Sequence, residues 1–427
     1  MDIILFNAPV TIRNEHARLT PPLGLAYLAS AVRDRGYTVS AVDFNVSGLN
    51  LRRVDSIVAY DKPAIVGISA MTETYPNALA IARRVKETSP GTVVVLGGAH
   101  PTIMPEAVLG ETAVDYAVVG AGEQGLTALV RFVLEGVGDL AEVPGLVWRD
   151  GETVRVNPRA ALSSPDELPR PARDLFPMEF YKDKWNVLTA TGSCPFRCPF
   201  CSAASLWHGR RKMRSPAGVV EELRELSMDH GVDRVFFTDD LFTMDKGWVR
   251  ELADELHTLE RPVEWGCATR VDQVDADLLR VMAEAGCTGV QFGVESGSQR
   301  ILDSVKGIDK AQVLEAIRSA VAVGIDVVSS FMAPFPEDTR ETLAESHAFM
   351  REVRDAGSRI FLSYTCPYPG TVFYEKADEL GLRILSDRWD EYDAKHVVME
   401  TRHLSAAEIE SIVSEMARDL GLQKSVS

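Results

Sequence analysis

Three cysteines within eight residues form the part of this sequence with the clearest chemical potential. The segment reads Cys194-Pro195-Phe196-Arg197-Cys198-Pro199-Phe200-Cys201. Thiolates are the standard protein ligands of iron–sulfur clusters. If Cys194, Cys198 and Cys201 hold a four-iron cluster, one iron has no protein ligand and can bind another molecule. The spacing therefore predicts a metal centre with an open coordination position.

Two other arrangements of these cysteines remain open. A structural zinc site needs four ligands, and His208 is a candidate for the fourth. A disulfide with one free thiol suits a reducing compartment poorly. The other three cysteines, Cys267, Cys287 and Cys366, are scattered, which excludes a secreted disulfide framework. Cys267 and Cys366 stand at predicted strand ends, where they could act near a substrate, but we expect buried free thiols.

Over residues 1–140, short β-branched runs alternate with stretches of helical periodicity. The predicted strands are Ile3–Phe6, Thr38–Asp43, Ala64–Ile68, Thr92–Leu96 and Tyr116–Val119. The predicted helices include Leu23–Arg35 and Tyr75–Glu87. Such alternation indicates an α/β domain with a doubly wound parallel sheet of the Rossmann or flavodoxin type.

Residues 141–186 read as a hairpin and linker, with a turn at Asp150-Gly151. Over residues 187–375 the alternation resumes and predicts a partial (β/α)6 barrel. Its predicted strands are Val187–Thr191, Arg234–Phe237, Glu264–Thr269, Gly289–Val294, Asp326–Phe331 and Ile360–Tyr364. Residues 376–427 are predicted to form a short helical tail around Ala406–Leu420, which Ser405 and Glu408 would cap.

The cysteine motif, placed after the first strand of a barrel, resembles the signature of radical S-adenosylmethionine (SAM) enzymes. The resemblance covers residues 187–368. It implies a 4Fe–4S cluster that binds SAM and splits it with one electron, giving methionine and a 5′-deoxyadenosyl radical. The radical then takes hydrogen from a substrate carbon. A flavodoxin- or ferredoxin-like protein would supply the electron.

The resemblance also implies roles for residues at the ends of the barrel strands. Asp239 and Asp240 would lie near the methionine amino group, although either could instead cap the following helix. Arg270 would meet the methionine carboxylate, unless it forms a surface ion pair. Glu295 would contact the ribose or the methionine end, and Phe200 the adenine, unless Phe200 only packs. The fifth strand departs from the family pattern, since Pro334 and Glu337 stand where relatives carry glycines.

Three residues near the predicted barrel mouth are candidates for an acid or base that acts on the substrate. They are Glu295, Tyr364 and Tyr368. The sequence does not rank them.

The order of the two domains resembles that of radical SAM enzymes with an N-terminal cobalamin-binding domain. Matching stretches lie at residues 21–28, 97–102 and 120–123. The resemblance implies that strand-end residues Ser69, Gly97, Gly98 and Gly120 line a cobalamin site. Asn45 stands where some cobalamin proteins carry the histidine that binds cobalt. The domain would then bind cobalamin with its lower face empty, or bind nothing.

The composition of the chain limits the classes of molecule that we expect it to bind. The formal net charge of −17 argues against nucleic acid as a partner. The negative charge would either only keep the protein soluble or also attract a cationic small molecule. No apolar run is long enough to span a membrane, and the first residues do not resemble a leader, so we expect the cytoplasm.

Three functions compete. The first is cobalamin-dependent methylation of a small, natural-product-like molecule. The second is radical dehydration, deoxygenation or epimerisation of an amino sugar such as an aminoglycoside, without cobalamin. The third is a non-catalytic zinc protein.

Overall fold

The computed structural model describes residues 1–11, 20–181, 185–192 and 194–422. The chain divides into two compact units, residues 1–185 and 186–427. Each unit is built on its own main sheet.

The first unit contains a seven-stranded sheet in the order β2-β1-β3-β4-β5-β6-β7. Its strands are β1 (Ile3–Asn7), β2 (Val39–Asp43), β3 (Ile65–Ser69), β4 (Val93–Gly97), β5 (Tyr116–Val118), β6 (Leu146–Asp150) and β7 (Thr153–Val156). Its helices are α1 (Leu23–Asp34), α2 (Phe44–Ser47), α3 (Leu51–Asp61), α4 (Tyr75–Thr88), α5 (Ala99–Ile103), α6 (Pro105–Gly110) and α7 (Glu123–Glu135).

Strands β1 to β5 pair in parallel in the flavodoxin-like order 2-1-3-4-5, which confirms the predicted fold class. The ends of all five predicted strands agree with the structure within one residue. The register places Asn7, Asp43, Ser69 and Gly97 side by side at the carboxyl edge. In sheets of this order, ligands bind beyond that edge, where β1 and β3 lead to opposite faces.

The hairpin predicted after residue 140 extends this sheet. Strand β6 pairs antiparallel with β5, and β7 pairs antiparallel with β6. Gly151 takes a positive φ of 60° in the turn, as the Asp-Gly pair indicated. The hairpin therefore completes one edge of the first sheet.

The second unit contains a six-stranded sheet in the order β15-β14-β13-β12-β11-β8. The strands of this unit are β8 (Trp185–Val187), β9 (Ala190–Gly192), β10 (Arg211–Met213), β11 (Arg234–Phe237), β12 (Glu264–Thr269), β13 (Cys287–Glu295), β14 (Asp326–Ala333), β15 (Ser358–Tyr364), β16 (Arg383–Ile384) and β17 (Met399–Glu400). The helices are α8 (Ala203–Trp207), α9 (Pro216–His230), α10 (Lys246–Leu256), α11 (Ala276–Glu284), α12 (Gln299–Val305), α13 (Lys310–Ala322), α14 (Arg340–Asp355), α15 (Val372–Glu375) and α16 (Ala406–Asp419).

Strands β11 to β15 pair in parallel, each joined to the next through helices. Within the described part of the chain, no pairing joins the edge strands β8 and β15. The sheet is thus the open, partial barrel that the alternation predicted.

The predicted first barrel strand, Val187–Thr191, is wrong as a single strand. Only β8 belongs to the large sheet, and β9 turns away to pair antiparallel with β10. One cause is Asp239, whose carboxylate accepts the backbone N–H of Thr189 at 3.0 Å in place of a strand partner. A second is Gly192, which has a φ of 93° and lies so close to the Arg210 carbonyl that no side chain fits.

The C-terminal segment contains the small β16–β17 hairpin and α16. The predicted cap is confirmed, because Ser405 and Glu408 exchange the reciprocal hydrogen bonds of a capping box. None of the helices in the described residues has the length and apolarity needed to cross a bilayer.

Candidate functional site

The cysteine loop runs from β9 to α8, and each of its three thiols has an N–H donor. The backbone N–H of Phe196 donates to Cys194, and that of Ala203 donates to Cys201. Nη1 of Arg270 lies 3.7 Å from Sγ of Cys198. Hydrogen bonds to sulfur stabilise thiolate ligands.

Burial raises the pKa of the Cys194 thiol, and raises that of Cys201 to about 11. Thiolates are therefore unfavourable here unless a cation binds them, since metal coordination deprotonates thiols. Half-buried sulfurs with N–H donors fit an iron–sulfur cluster.

The two aspartates after β11 hold the cysteine loop. Asp239 is buried, binds Thr189 and lies 3.8 Å from Nη2 of Arg211. Asp240 accepts the backbone N–H of Cys194. Burial raises the pKa of both carboxyls, although part of Asp240 stays exposed. Neither residue caps the next long helix, because Asp245 caps α10.

Arg270 follows β12 and is buried rather than exposed. Its guanidinium makes two parallel hydrogen bonds to Asp272, both 2.9 Å long, and a third to the carbonyl of Lys306 at 3.0 Å. The ring of Phe196 covers its face, with 3.9 Å from Cζ to the ring centroid. The structure therefore places Arg270 against the cysteine loop in a fixed orientation.

Glu295 ends β13 with a φ of 76°, a conformation rare for a residue with a side chain. Its Oε1 accepts a hydrogen bond from Nζ of Lys306 at 2.8 Å, and both side chains are about nine-tenths buried. Nζ of Lys306 also donates to the Gly293 carbonyl at 2.6 Å. The pair fixes a carboxylate at the carboxyl end of the sheet.

Phe200 packs in a cluster of aromatic rings, against Phe335 at 5.7 Å and Phe373 at 6.3 Å between ring centroids. Phe335 follows β14, where Asp338 accepts the Phe335 N–H at 2.7 Å. Burial raises the pKa of Asp338 to about 6. The loop after β14 and helix α15 thus pack against Phe200.

The two candidate tyrosines lie in the packing of the C-terminal segment. Tyr364 is buried and its hydroxyl bonds Ser414 of α16. Tyr368 packs against Cys366 and Tyr392. The structure therefore brings the cysteines, Asp240 and Arg270 together. Tyr364 and Tyr368 both contact residues of the C-terminal segment.

In the first unit, the strand-end residues line the carboxyl edge of the sheet. Ser69 and Gly97 end adjacent strands, and the N–H of Gly120 bonds Oγ1 of Thr102 at 3.0 Å. Gly98 has a φ of 104°, and a Cβ there would lie 2.6 Å from the Ala70 carbonyl. The close approach of the neighbouring loop is therefore enough to explain why glycine stands at this position.

Asn45 is occupied by contacts within the protein. Its Oδ1 accepts the backbone N–H of Val10 at 3.2 Å. The preceding Asp43 caps α2 and accepts hydrogen bonds from Asn7 at 3.0 Å and Tyr181 at 2.6 Å. The loop that carries a cobalt-binding histidine in some cobalamin proteins is here a structural junction.

His100 in α5 is buried, stacks on Tyr75 at 4.2 Å and lies 3.3 Å from Oγ1 of Thr72. Burial lowers its pKa to about 4. The imidazole is therefore a neutral packing group under the sheet edge.

Comparison with known proteins finds a family match in each of the two units. Residues 10–130 match the B12 binding domain family, and residues 188–350 match the Radical SAM superfamily. An uncharacterized methyltransferase of Pyrococcus horikoshii is 33% identical over 399 residues, which cover 92% of this chain and 86% of that protein. This chain belongs to the B12-binding radical SAM family.

Other relatives share this two-domain arrangement. A cytidylyl-2-hydroxyethylphosphonate methyltransferase of Streptomyces wedmorensis is 28% identical, covering 83% of this chain and 77% of that protein. The radical SAM methyltransferase TsrM of Kitasatospora setae, solved with cobalamin and a [4Fe-4S] cluster bound, shares the fold. Its TM-score is 0.79 at 19% identity, covering 97% of this chain and 91% of that one.

The Radical SAM match implies a 4Fe–4S cluster and SAM, and the B12 binding domain match supports cobalamin as a further cofactor. The Radical SAM match takes in all three loop cysteines, and so favours a cluster over structural zinc. The B12 match counts against an N-terminal domain that binds nothing.

Sequence reasoning missed three residues of this radical SAM site: Phe196, Asp272 and Lys306. Asp272 had a usable signal, because a carboxylate two residues after Arg270 can hold its guanidinium. Lys306 had none, since it lies 11 residues from Glu295 in a loop.

Proposed function

We propose that this enzyme is a cobalamin-dependent methyltransferase that adds a methyl group to a carbon atom of a small molecule. The observation that carries the proposal is the 33% identity to a protein named as a methyltransferase, which extends through both domains. Two further relatives that align with most of this chain are also named as methyltransferases.

When bound, the cluster supplies the electron that splits one SAM into methionine and the hydrogen-abstracting radical, and cobalamin supplies a methyl group renewed from a second SAM. The chain's own residues bind and orient. Cys194, Cys198 and Cys201 would ligate three irons, and Asp240 would hold the loop through the Cys194 N–H. Glu295, fixed by Lys306, would accept a hydrogen bond from SAM, and Phe200 would flank its adenine.

Asp239 keeps β9 out of the large sheet and so would act on the loop's position, not on SAM directly. Ser69, Gly97, Gly98 and Gly120 would line the cobalamin site at the carboxyl edge of the first sheet. Because the side chain of Asn45 is bound to Val10, Asn45 would not serve as a cobalt ligand.

The net charge of −17 suits a cationic substrate, because clefts of one sign concentrate ions of the other. The substrate KM should then rise with added salt. A KM that is independent of salt would remove this part of the proposal.

Product stoichiometry tests the reaction type. The reconstituted enzyme, a one-electron reductant, cobalamin and methyl-deuterated SAM should give S-adenosylhomocysteine and 5′-deoxyadenosine in about equal amounts. The substrate should gain the deuterated methyl group. Formation of 5′-deoxyadenosine without S-adenosylhomocysteine would point instead to dehydration or epimerisation.

Cys198→Ala tests the metal assignment. This variant should lose the cluster's visible absorbance and all cleavage of SAM. Cys366→Ala is the matched control, because Cys366 is buried in a separate cluster with Tyr392, and it should keep both. SAM cleavage by Cys198→Ala would contradict the assignment.

A further inference from the structure

The three loop cysteines differ in the charge of the group that donates to them. Cys194 and Cys201 receive neutral backbone N–H groups from the loop and from α8. Cys198 receives a guanidinium N–H from Arg270, which lies 72 residues later in the chain. A hydrogen bond from a charged donor is roughly twice as strong as one between neutral groups.

Arg270 is held in place on every side. Asp272 takes Nε and Nη2, the Lys306 carbonyl also takes Nη2, and Phe196 covers the face. Nη1 remains directed at Sγ of Cys198. Arginine stays charged even when buried. A fixed positive charge therefore lies beside one sulfur in a region of low hydration, where electrostatic interactions are strong.

Hydrogen bonds and charge near the sulfurs set the potential of an iron–sulfur cluster. Reduction adds one negative charge to the cluster, and a cation beside Cys198 stabilises that charge. We propose that Arg270 is a positioning residue that raises the reduction potential of the 4Fe–4S cluster through its hydrogen bond to Cys198, and that Asp272 limits the rise. The proposal rests on the assignment of Cys198 as a cluster ligand.

The arrangement also decides between two roles for Arg270. An arginine that binds the SAM carboxylate bidentately needs a free pair of N–H groups. A guanidinium has two such pairs. Asp272 occupies the pair formed by Nε and Nη2, and the Lys306 carbonyl takes the second N–H of Nη2, which the pair formed by Nη1 and Nη2 would need. Arg270 therefore affects the reduction potential of the cluster, and this effect is present before SAM binds.

The experiment is a redox titration of the reconstituted enzyme without SAM, followed by electron paramagnetic resonance of the reduced cluster. Arg270→Gln removes the charge and should shift the midpoint potential to more negative values. Asp272→Asn leaves the guanidinium uncompensated and should shift it to more positive values. Arg280→Gln is the matched control, because Arg280 binds Asp277 and Glu284 on the exposed surface of α11 and should not move the potential.

The outcomes separate this proposal from the cluster assignment. Opposite shifts in the two variants support it. An unchanged potential in Arg270→Gln, with only a weaker affinity for SAM in equilibrium dialysis, would overturn it. If Arg270→Gln does not retain the cluster, Asp272→Asn decides, and an unchanged or more negative potential there overturns the proposal. Failure of the cysteine assignment is distinct, because Cys198→Ala would then keep its cluster.

Discussion

Glu295 combines an unusual backbone with a buried ion pair. Residues held at positive φ cost about 1–3 kcal/mol and persist where surrounding contacts enforce them. Lys306 provides such a contact, because it binds both the Glu295 carboxylate and the Gly293 carbonyl. The strand register also shifts between Gly293 and Glu295. Together these features turn the carboxylate away from the regular strand positions.

Lys306→Met should therefore be strongly destabilising. It leaves the Glu295 carboxylate buried without its partner, which costs about 3–5 kcal/mol. The measurement is urea unfolding followed by circular dichroism. Lys376→Met is the control, because Lys376 pairs with Glu379 on the surface and should change stability by about 0–1 kcal/mol. Equal effects of the two substitutions would contradict a structural role for the Lys306 pair.

Among single residues, those whose type and spacing form a recognisable pattern could be predicted from the sequence. The cysteines stand at fixed spacing, and Asp240 and Glu295 lie at or near the carboxyl ends of strands, so they could be named in advance. Asp272 had a local signal, since it lies two residues after Arg270, but Lys306 had none, because its partner Glu295 lies 11 residues away along the chain. The occupation of Asn45 by Val10 is another contact that only the fold creates.

The turn from β4 into α5 shows how an element is shaped by its neighbour. Gly98 begins the turn and lies against the backbone of Ala70, which follows the adjacent strand β3. Two segments of the backbone approach each other at the carboxyl edge of the sheet, and only glycine leaves room for both.

Gly98→Ala should destabilise the enzyme by about 2–4 kcal/mol, from the positive φ and the close contact with Ala70. Gly24→Ala in α1 is the matched control. Among the residues that the structure describes, no atom lies within 4 Å of its added Cβ, so the substitution should stabilise by about 0.5–1 kcal/mol. Urea unfolding checks both signs, and a neutral Gly98→Ala would show that the two loops can move apart.

His100 in α5 predicts a pH dependence. Its pKa is about 4 when folded and near 6.5 when unfolded, so between these values the unfolded chain binds more protons. Stability should fall by about 2 kcal/mol from pH 7 to pH 5 because of this residue. His100→Phe should lose less stability over the same range. Equal losses in urea titrations of both proteins would show that His100 is not buried as a neutral ring.

Elements were predictable where periodicity was strong. Strands β11 and β12 have the predicted first and last residues, and helices α1, α4 and α16 begin at the predicted residue. The split between β8 and β9 was not foreseen, because it depends on the distant Asp239 carboxylate. The pairing of the β6–β7 hairpin with β5 was also not foreseen, since pairing partners are not encoded in local pattern.

For the whole molecule, two separate sheets predict two separate ligand responses. Cobalamin should slow hydrogen exchange in the first unit, at residues 69–72, 97–103 and 120–123. SAM, added to the reconstituted enzyme without reductant, should slow exchange at residues 194–201 and around Glu295. At a ligand concentration of 100 Kd the stabilisation is about 2.7 kcal/mol, or about a hundredfold in exchange rate. Mass spectrometry measures both, and protection by cobalamin confined to residues 186–427 would contradict the proposed cobalamin site.

The distance along the chain between Cys198 and Arg270 has a consequence for biosynthesis. The two residues are 72 positions apart. At roughly 5–20 residues per second, the ribosome adds Arg270 about 4–14 s after Cys198. During that interval the cysteines exist without their guanidinium neighbour. A nascent chain can thus present the complete ligand motif to a cluster-delivery machinery before it has the electrostatic surroundings of the finished enzyme.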